Sequence, residues 1–211
     1  MVEIELEQVG KSFGGNRVFV DFSAKLMPGQ ITAVRGDNGS GKSTLLRLAG
    51  KLISPDAGRV IAREMEGGLV LQKTDFRQRM ALVTPELRFY DRLTARENMD
   101  FLLGLRGEKL SEERYLSLLE RVELSTSKTE GVPAGSLSTG MRQRLKLAVL
   151  IASRAEVWLL DEPGANLDVK GRELVLREAR QAAEQGILVL WATNDEREEA
   201  AADERICLGG H

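Results

Sequence analysis

A glycine-rich segment between a short apolar run and a periodic one constrains the fold of this chain more than any other feature. The segment, residues 36–43, reads GDNGSGKS and follows the apolar run at 31–34. Leucines at 45, 46 and 48 come next, with the spacing of a helix. Because glycines allow the backbone to curl, successive N–H groups in such a strand–loop–helix unit can point inward and hold an anion such as phosphate.

This loop matches the nucleotide-binding pattern GxxxxGK(S/T). Lys42 adds a point charge for the β- and γ-phosphates, and the Ser43 hydroxyl is placed to bind Mg²⁺. We expect Lys42 to be an exposed ligand and not a core residue. The alternative is an ordinary glycine-rich turn before a helix. The residues predicted to bind ATP here are Gly36, Asn38, Gly39, Ser40, Gly41, Lys42, Ser43 and Thr44.

Two acidic residues follow a second apolar run, at 157–160. Asp161 and Glu162 come directly after it and before Pro163. If this run is a strand beside the phosphate loop, Asp161 at its carboxyl end can hold Mg²⁺ through water, and Glu162 can orient an attacking water or accept its proton. Acidic pairs after strands are common in α/β proteins, so this pair alone is weak evidence for a metal or catalytic site. Together with the phosphate loop it is strong evidence.

The remaining pattern predicts an α/β domain with a helical insertion. Residues 2–26 alternate apolar and polar positions, whereas the continuous apolar runs at 157–160 and 187–190 suit central parallel strands. Thr94 and Glu97 form a capping box before a helical pair that extends to about residue 124. A further helix is expected at 172–185.

We therefore expect a P-loop NTPase fold with a mostly parallel central sheet, an antiparallel β part near the N-terminus and an inserted helical subdomain. The chain has 211 residues, 42% of them hydrophobic, enough for one sizeable core. The predicted nucleotide-binding core comprises residues 1–85 and 137–211, and the predicted helical subdomain comprises residues 86–136.

Composition excludes several other classes of function. Thirty Lys and Arg oppose thirty-two Asp and Glu, and this balance argues against a dedicated nucleic-acid surface. The single cysteine, Cys207, excludes a disulfide framework within the monomer and is expected to be a small apolar filler in a late strand. No apolar run approaches the roughly 20 residues that span a bilayer. We expect a cytoplasmic protein, held on the inner face of the membrane through a partner.

A third motif lies between the other two. Residues 137–144 read LSTGMRQR, in which Ser138 caps a helix and Gly140 leaves the backbone open to close approach. Alone, this segment would be an ordinary helix cap. The phosphate loop, this segment and the strand ending in Asp-Glu-Pro, in that order, resemble the ABC ATPases over nearly the whole chain.

The resemblance implies a mechanism and a set of site residues. Two ABC subunits, identical or different, bind head to tail, with each ATP between the phosphate loop of one and Ser138 and Gly140 of the other. Hydrolysis then drives separate membrane-spanning subunits. The resemblance assigns catalysis to Glu162 and Lys42, and the remaining roles to Ser43 and Asp161 (Mg²⁺), Asp168 (the loop at the dimer interface) and Phe13 (stacking on adenine).

Two positions depart from the family pattern. The family usually has a Gln after the strand that leads into the helical insertion, and alignment of residues 93–98, LTAREN, places Glu86 or Pro85 there. Glu86 could bind Mg²⁺ more strongly but would repel the γ-phosphate; alternatively, it is a solvated surface acid.

The second departure concerns the family's switch His, whose position holds Asn194. The only His in the chain is His211. Asn can donate a hydrogen bond to a γ-phosphate oxygen but cannot titrate near neutral pH, so this departure bears on hydrolysis and not on ATP binding. Alternatively, Asn194 only caps or turns the chain.

The predicted function is an ATP-binding and ATP-hydrolysing subunit of an ABC transporter. Segment 85–91, PELRFYD, and the helix after it resemble small subunits of the haem-exporter, cytochrome c maturation type. One alternative is a soluble ABC ATPase that serves an assembly scaffold, such as iron–sulfur cluster biogenesis. Another is a regulatory ATP-binding module that barely hydrolyses, which Asn194 favours and Glu162 opposes.

Overall fold

Two β-sheets and seven α-helices account for most of residues 1–209, the part of the chain that the computed structural model describes. Short 3₁₀ helices at Thr126–Lys128 and Ala134–Ser136 precede α5. In chain order the elements are β1 (Val2–Phe13), β2 (Asn16–Leu26), β3 (Ile31–Arg35), α1 (Lys42–Ala49), β4 (Ala57–Glu64), α2 (Lys73–Arg79), β5 (Met80–Val83), α3 (Ala95–Gly104), α4 (Glu112–Arg121), α5 (Thr139–Ala152), β6 (Val157–Asp161), α6 (Val169–Glu184), β7 (Leu188–Ala192), α7 (Glu196–Ala200) and β8 (Glu204–Cys207).

The N-terminal strands form a separate antiparallel sheet in the order β2-β1-β4. The hairpin of β1 and β2 pairs Ile4 with Leu26 and turns at Gly14 and Gly15. The alternating positions Val2, Ile4 and Leu6 are buried, as expected for a sheet with one face on the core. The predicted antiparallel part is confirmed.

The central sheet is parallel, with strand order β5-β6-β7-β3-β8. Every residue of β6 and β7 is buried, because these strands are covered by helices on both faces. Parallel strands end at the same edge of a sheet. The loops after β3, β6 and β7 therefore meet there, although as many as 156 positions separate them in the chain, as between Asn38 and Asn194.

The helical insertion shares its core with one face of the parallel sheet. Met99, Leu103 and Leu119 from α3 and α4 belong to the same buried cluster as Trp158 and Leu160 of β6. The capping box of α3 is present, with the Glu97 amide donating to Thr94 Oγ1 and the Thr94 amide donating to the Glu97 carboxylate. We propose, on this basis, that residues 86–136 are a helical lobe packed against a core that the structure describes over residues 1–85 and 137–209.

Three details differ from the sequence predictions or lie beyond the structure. Helix α6 begins at Val169 and not at 172, because the Asp168 side chain caps it by accepting from the Gly171 amide at 2.8 Å. Cys207 lies in the late strand β8 as expected, but it is exposed and not a buried filler, since β8 is an edge strand. His211 lies outside the described residues.

A buried asparagine on α3 holds the segment that connects β5 to the helical insertion. Asn98 is fully buried, and its Oδ1 accepts from the Tyr90 amide at 2.8 Å. Its Nδ2 lies within 3.1 Å of the carbonyl oxygens of Tyr90, Leu93 and Thr94. The segment from Tyr90 to Thr94 belongs to no helix or strand, so the regular hydrogen bonds of those elements are not available to it. The Asn98 side chain supplies hydrogen bonds that such buried polar groups require.

We predict that Asn98→Ala lowers the free energy of unfolding by about 2–3 kcal/mol, because it leaves buried backbone groups without partners. Urea denaturation measures the effect. The matched control is Asn16→Ala at the exposed hairpin tip, where a change below about 0.5 kcal/mol is expected. Equal losses in the two variants would contradict the anchoring role of Asn98.

Candidate functional site

The glycine-rich loop forms an anion-binding cradle at the amino terminus of α1. Gly41 is the N-cap residue with φ 100°, so it offers no side-chain cap to the first amides of the helix. A Cβ on Gly36 would lie 2.4 Å from Ser40 Oγ, which leaves no room for a side chain there. Ser40 Oγ is itself buried without a hydrogen-bond partner. The loop thus presents unpaired donors, as phosphate binding needs.

Lys42 is not the exposed ligand that the sequence predicts. Only 6% of its surface is accessible, and its ammonium donates to the carbonyl oxygens of Gly36 at 2.6 Å and Asp37 at 3.2 Å. The loop folds back over its own lysine because these carbonyls replace water around the charge. Lys42 remains part of the cradle, because its contacts with Gly36 and Asp37 hold it beneath the phosphate-binding loop.

Asp161 ends β6 beside the first turn of α1. It is buried, and this desolvation raises the pKa of its carboxyl, while a hydrogen bond from Ser43 opposes the rise. The sequence-predicted metal residues Ser43 and Asp161 are therefore neighbours. A buried carboxylate beside a hydroxyl is a favourable environment for a divalent cation, which would offset the cost of burying the charge.

Glu162 has a left-handed backbone conformation, with φ 47°, which is unfavourable for a residue with a side chain. Its amide donates to the Ala192 carbonyl at 2.9 Å, which ties this turn to the end of β7. The side-chain amide nitrogen of Asn194, Nδ2, donates both to Glu162 Oε1 and to Asn38 Oδ1, each at 3.2 Å. Asn194 thus bridges the phosphate loop and the predicted catalytic carboxylate.

Glu86 lies on the segment after β5, and its side chain is 71% exposed. Its own backbone amide and the Thr84 hydroxyl lower the pKa of its carboxyl, and the charges of Arg47 and Lys146 act in the same direction. Its negative charge also acts on Asp161, where it raises the pKa of the carboxyl. Glu86 Oε1 lies 4.0 Å from Arg47 Nη2, so this exposed carboxylate is paired with the helix that begins at Lys42. Pro85, the alternative for this position, has no ligating side chain.

The LSTGMRQR segment begins α5. Ser138 is the exposed N-cap residue, and its hydroxyl accepts from the Met141 amide at 3.2 Å. A Cβ on Gly140 would meet no atom within 4 Å, so packing within the described chain does not require glycine there. Within residues 1–209, no hydrogen bond or ion pair joins Ser138 or Gly140 to the phosphate loop of the same chain.

Two further predicted residues lie at exposed positions. Phe13 is at the tip of the β1–β2 hairpin, 50% exposed, with Lys11 Nζ 5.2 Å from its ring centroid. Asp168 caps α6 and lies 4.0 Å from the Arg144 guanidinium of α5. The structure leaves the ring of Phe13 partly free, as stacking on a base requires.

Two residues to which the sequence motifs assign no role border this site. Gln143 Nε2 donates to the Pro163 carbonyl at 2.7 Å and so connects α5 to the turn after Glu162. Lys146 is buried one helical turn further on, and burial lowers the pKa of its ammonium. Together with Glu162 and Asn166 they line a cavity of about 430 Å³. The signal for Lys146 is a lysine amid apolar residues in the run LKLAVL.

The residues present fit a nucleoside triphosphate together with Mg²⁺. The described residues contain no cluster of three His, Cys, Asp or Glu that could hold a metal alone. Mg²⁺ does not need one, because it keeps several waters and is commonly bound through one or two carboxylates and substrate phosphates. Ser43 of the phosphate loop and Asp161 match this requirement.

A phosphate loop after β3, two carboxylates at the carboxyl end of β6 and a polar residue after β7, gathered at one edge of a parallel sheet, define a P-loop nucleoside triphosphatase. Residues 19–165 match the ABC transporter family. The chain belongs to this family and is an ATP-binding, ATP-hydrolysing subunit of the ABC type. The predicted fold class and enzyme class are confirmed.

Individual relatives agree with this assignment. The chain is 34% identical to the cytochrome c biogenesis ATP-binding export protein CcmA of Nitrosomonas europaea over 87% of this chain and 84% of that protein. It is 32% identical to the sulfate/thiosulfate import ATP-binding protein CysA of Synechococcus elongatus over 100% of this chain and 60% of that longer protein. These comparisons give no support to the alternative of an iron–sulfur assembly ATPase.

Solved structures show the same fold. The dimeric structure of MJ0796, a bacterial ABC transporter cassette, superimposes with a TM-score of 0.84 at 25% identity, over 98% of this chain and 94% of that one. An ATP-binding protein of a putative ABC transporter from Pyrococcus furiosus has a TM-score of 0.83 at 21% identity, over 98% of this chain and 97% of that one.

We predict that Lys42→Ala lowers ATP affinity at least about a hundredfold, because a charge-assisted contact to phosphate is lost in a buried cradle. Binding of a fluorescent ATP analogue measures the affinity, and circular dichroism tests the fold. Lys109→Ala, at an exposed position of the helical insertion, is the control and should bind as the wild type does. Near wild-type affinity in a folded Lys42→Ala protein would refute the loop assignment.

Proposed function

We propose that two ABC subunits close head to tail around two ATP molecules, and that this closure drives separate membrane-spanning subunits. The observation that carries the proposal is the open position at Gly140. A Cβ there would meet no atom of the described residues within 4 Å, and Gly140 lies in the first turn of α5, two residues after the exposed N-cap residue Ser138. A surface of this kind suits the phosphates of a nucleotide held by a second subunit. The dimeric state of the MJ0796 cassette supports this arrangement.

Each bound ATP then contacts residues from both subunits. In one subunit the loop 36–44 cradles the phosphates and Phe13 stacks on the adenine. The other subunit contributes Ser138 and Gly140, with Asp168 in the loop between the two sites. Since neither half-site is complete alone, ATP itself becomes part of the interface.

Hydrolysis depends on the residues at the carboxyl ends of the parallel strands. Glu162 orients the attacking water and accepts its proton, because its backbone amide is tied to the Ala192 carbonyl at the end of β7 and its carboxylate accepts from Asn194 Nδ2. Asn194 donates to the γ-phosphate as a neutral group, and Lys42 neutralises charge on the β- and γ-phosphates. Asn38 accepts a hydrogen bond from the Asn194 side chain and so keeps Asn194 aligned with the phosphate loop.

We propose that Mg²⁺ is held by Ser43 and by Asp161, with Glu86 as a further ligand. When bound, the ion neutralises charge on the β- and γ-phosphates. The ion pair between Glu86 Oε1 and Arg47 Nη2, at 4.0 Å, supports its inclusion, because Arg47 lies on α1, the helix that also carries Ser43.

Membership of the family supports a proposal about the partner and the location of the chain. No helix among the described residues is long and apolar enough to cross a membrane. We propose that the chain is cytoplasmic and peripheral on the inner face of the membrane, bound there by separate integral subunits. The similarity to CcmA over most of both chains supports the small exporter type suggested by segment 85–91.

We predict that Glu162→Gln retains ATP affinity but lowers kcat by about a thousandfold, because the carboxylate acts on the attacking water and not on ground-state binding. Size exclusion with ATP and Mg²⁺ should show a stable dimer, and omission of Mg²⁺ or of ATP should return a monomer. Glu156→Gln, at the opposite end of β6, is the control. Unchanged turnover would move the catalytic role away from Glu162, and a monomer at all ATP concentrations would refute the dimer.

We predict that Asn194→Ala lowers kcat about tenfold or more, since a hydrogen bond to a charged group contributes roughly 1.5–3 kcal/mol and tenfold corresponds to about 1.4 kcal/mol. Asn194→His should retain or raise turnover, because it restores the residue type that the family usually has. Phosphate-release kinetics measure both. If neither substitution changes turnover, Asn194 serves only as a turn residue.

A further inference from the structure

Lys146, on the second turn of α5, is a buried charged residue, and its neighbours in sequence supply no opposite charge. Its accessible surface is 7%, and apolar residues flank it at Leu145 and Leu147. Burial of a lysine costs free energy that a leucine or alanine at the same place would not cost. Within residues 1–209, no carboxylate lies within 4.0 Å of its ammonium, so a salt bridge does not offset this cost.

The ammonium is instead bound to backbone. Lys146 Nζ donates to the carbonyl oxygens of Thr84 at 3.0 Å and Pro85 at 3.3 Å. These are the two residues directly before Glu86, in a segment without regular structure that follows β5. The other end of that segment is held by Asn98 through Tyr90. Lys146 is therefore the anchor at the end of the segment nearest Glu86.

The opposite charges of Lys146 and Glu86 also attract each other, although the two side chains form no direct ion pair. Movement of α5 relative to β5 would change both the backbone contacts and this attraction. The second subunit's ATP is proposed to bind at Ser138, the N-cap residue of α5. The first turn of α5 therefore lies at one half-site, and its second turn contacts, through Lys146, the segment beside the other half-site.

We infer that Lys146 is a positioning residue that couples the Ser138 end of α5 to the segment bearing Glu86. The inference rests on the proposed function, because it needs both the opposing ATP at Ser138 and the metal role of Glu86. When the partner's ATP binds at the start of α5, Lys146 holds Glu86 in place beside Asp161. A side chain that fills the same volume without donors would leave both half-sites folded but uncoupled.

The test replaces Lys146 with Met, which retains the apolar stem and removes the donors. We expect unchanged affinity for ATP in the single subunit, a fall in kcat of about tenfold, and a loss of cooperativity between the two ATP sites in the rate curve. Lys146→Arg keeps donors for the two carbonyls and should recover most of the rate. Lys109→Met is the matched control and should behave as the wild type. If the Met variant does not fold, Lys146→Gln, which keeps one donor group, takes its place.

A double-mutant cycle with Glu86→Gln separates positioning from a general structural role. If Lys146 acts through Glu86, the two effects should not multiply. The kcat of the double variant should then be at least about threefold higher than the value expected from multiplying the two separate effects. Multiplicative effects, equal losses for Met and Arg, or an unchanged kcat in a folded Met variant would each overturn the inference. The Glu162→Gln dimer experiment involves no change at Lys146, so failure of the proposed dimer and failure of this coupling are distinguishable.

Discussion

The parallel pairing of β3 with β7 and of β7 with β6 is the constraint on which the rest of the structure depends. The three strands are adjacent in the sheet but far apart in the chain, and each is followed at its carboxyl end by a polar segment. Pairing in register therefore brings Asn194 within hydrogen-bond distance of both Asn38 and Glu162. A register shift of even one residue in a strand would turn its side chains to the opposite face and separate these groups.

Apolar burial makes this register unique. Every position of β6 and β7 is buried, with Leu159 on one face of the sheet and Leu160 on the other. One face packs on α1 and the antiparallel sheet, and the other packs on α5, α6 and the helical insertion. Because the two cores lie on opposite faces of the same strands, the phosphate loop and the helix that begins at Ser138 are built on a common, rigid support.

Buried polar groups then connect this support to the segments that act on the nucleotide. Lys42 is bound to the carbonyls of its own loop, Asn98 to the backbone near Tyr90, and Lys146 to the backbone before Glu86. In each case the side chain supplies partners to backbone groups of a loop, which would otherwise lose water without compensation. Specific polar contacts of this kind restrict loops to one conformation, whereas apolar burial alone would tolerate several.

The sequence by itself determined the fold class, the strands and helices around the three motifs, the helical insertion and the residues of the glycine-rich loop. Local rules are sufficient for these features: the glycine-rich loop needs strand and helix around it, the run at 157–160 is too apolar to be exposed, and Thr94 and Glu97 cap a helix through neighbouring residues. The start of α6 was misplaced by three residues because the capping role of Asp168 was not considered.

Only the tertiary structure decided what these residues contact. Lys42 was expected to be exposed and is buried, since the loop folds back over it; Cys207 was expected to be buried and is exposed, since β8 lies at the sheet edge. The bridge from Asn194 to Glu162 and the bond from Lys146 to Thr84 join residues 32 and 62 positions apart. Periodicity and motifs report on neighbours within a few residues, so contacts set by strand order and helix packing are absent from them.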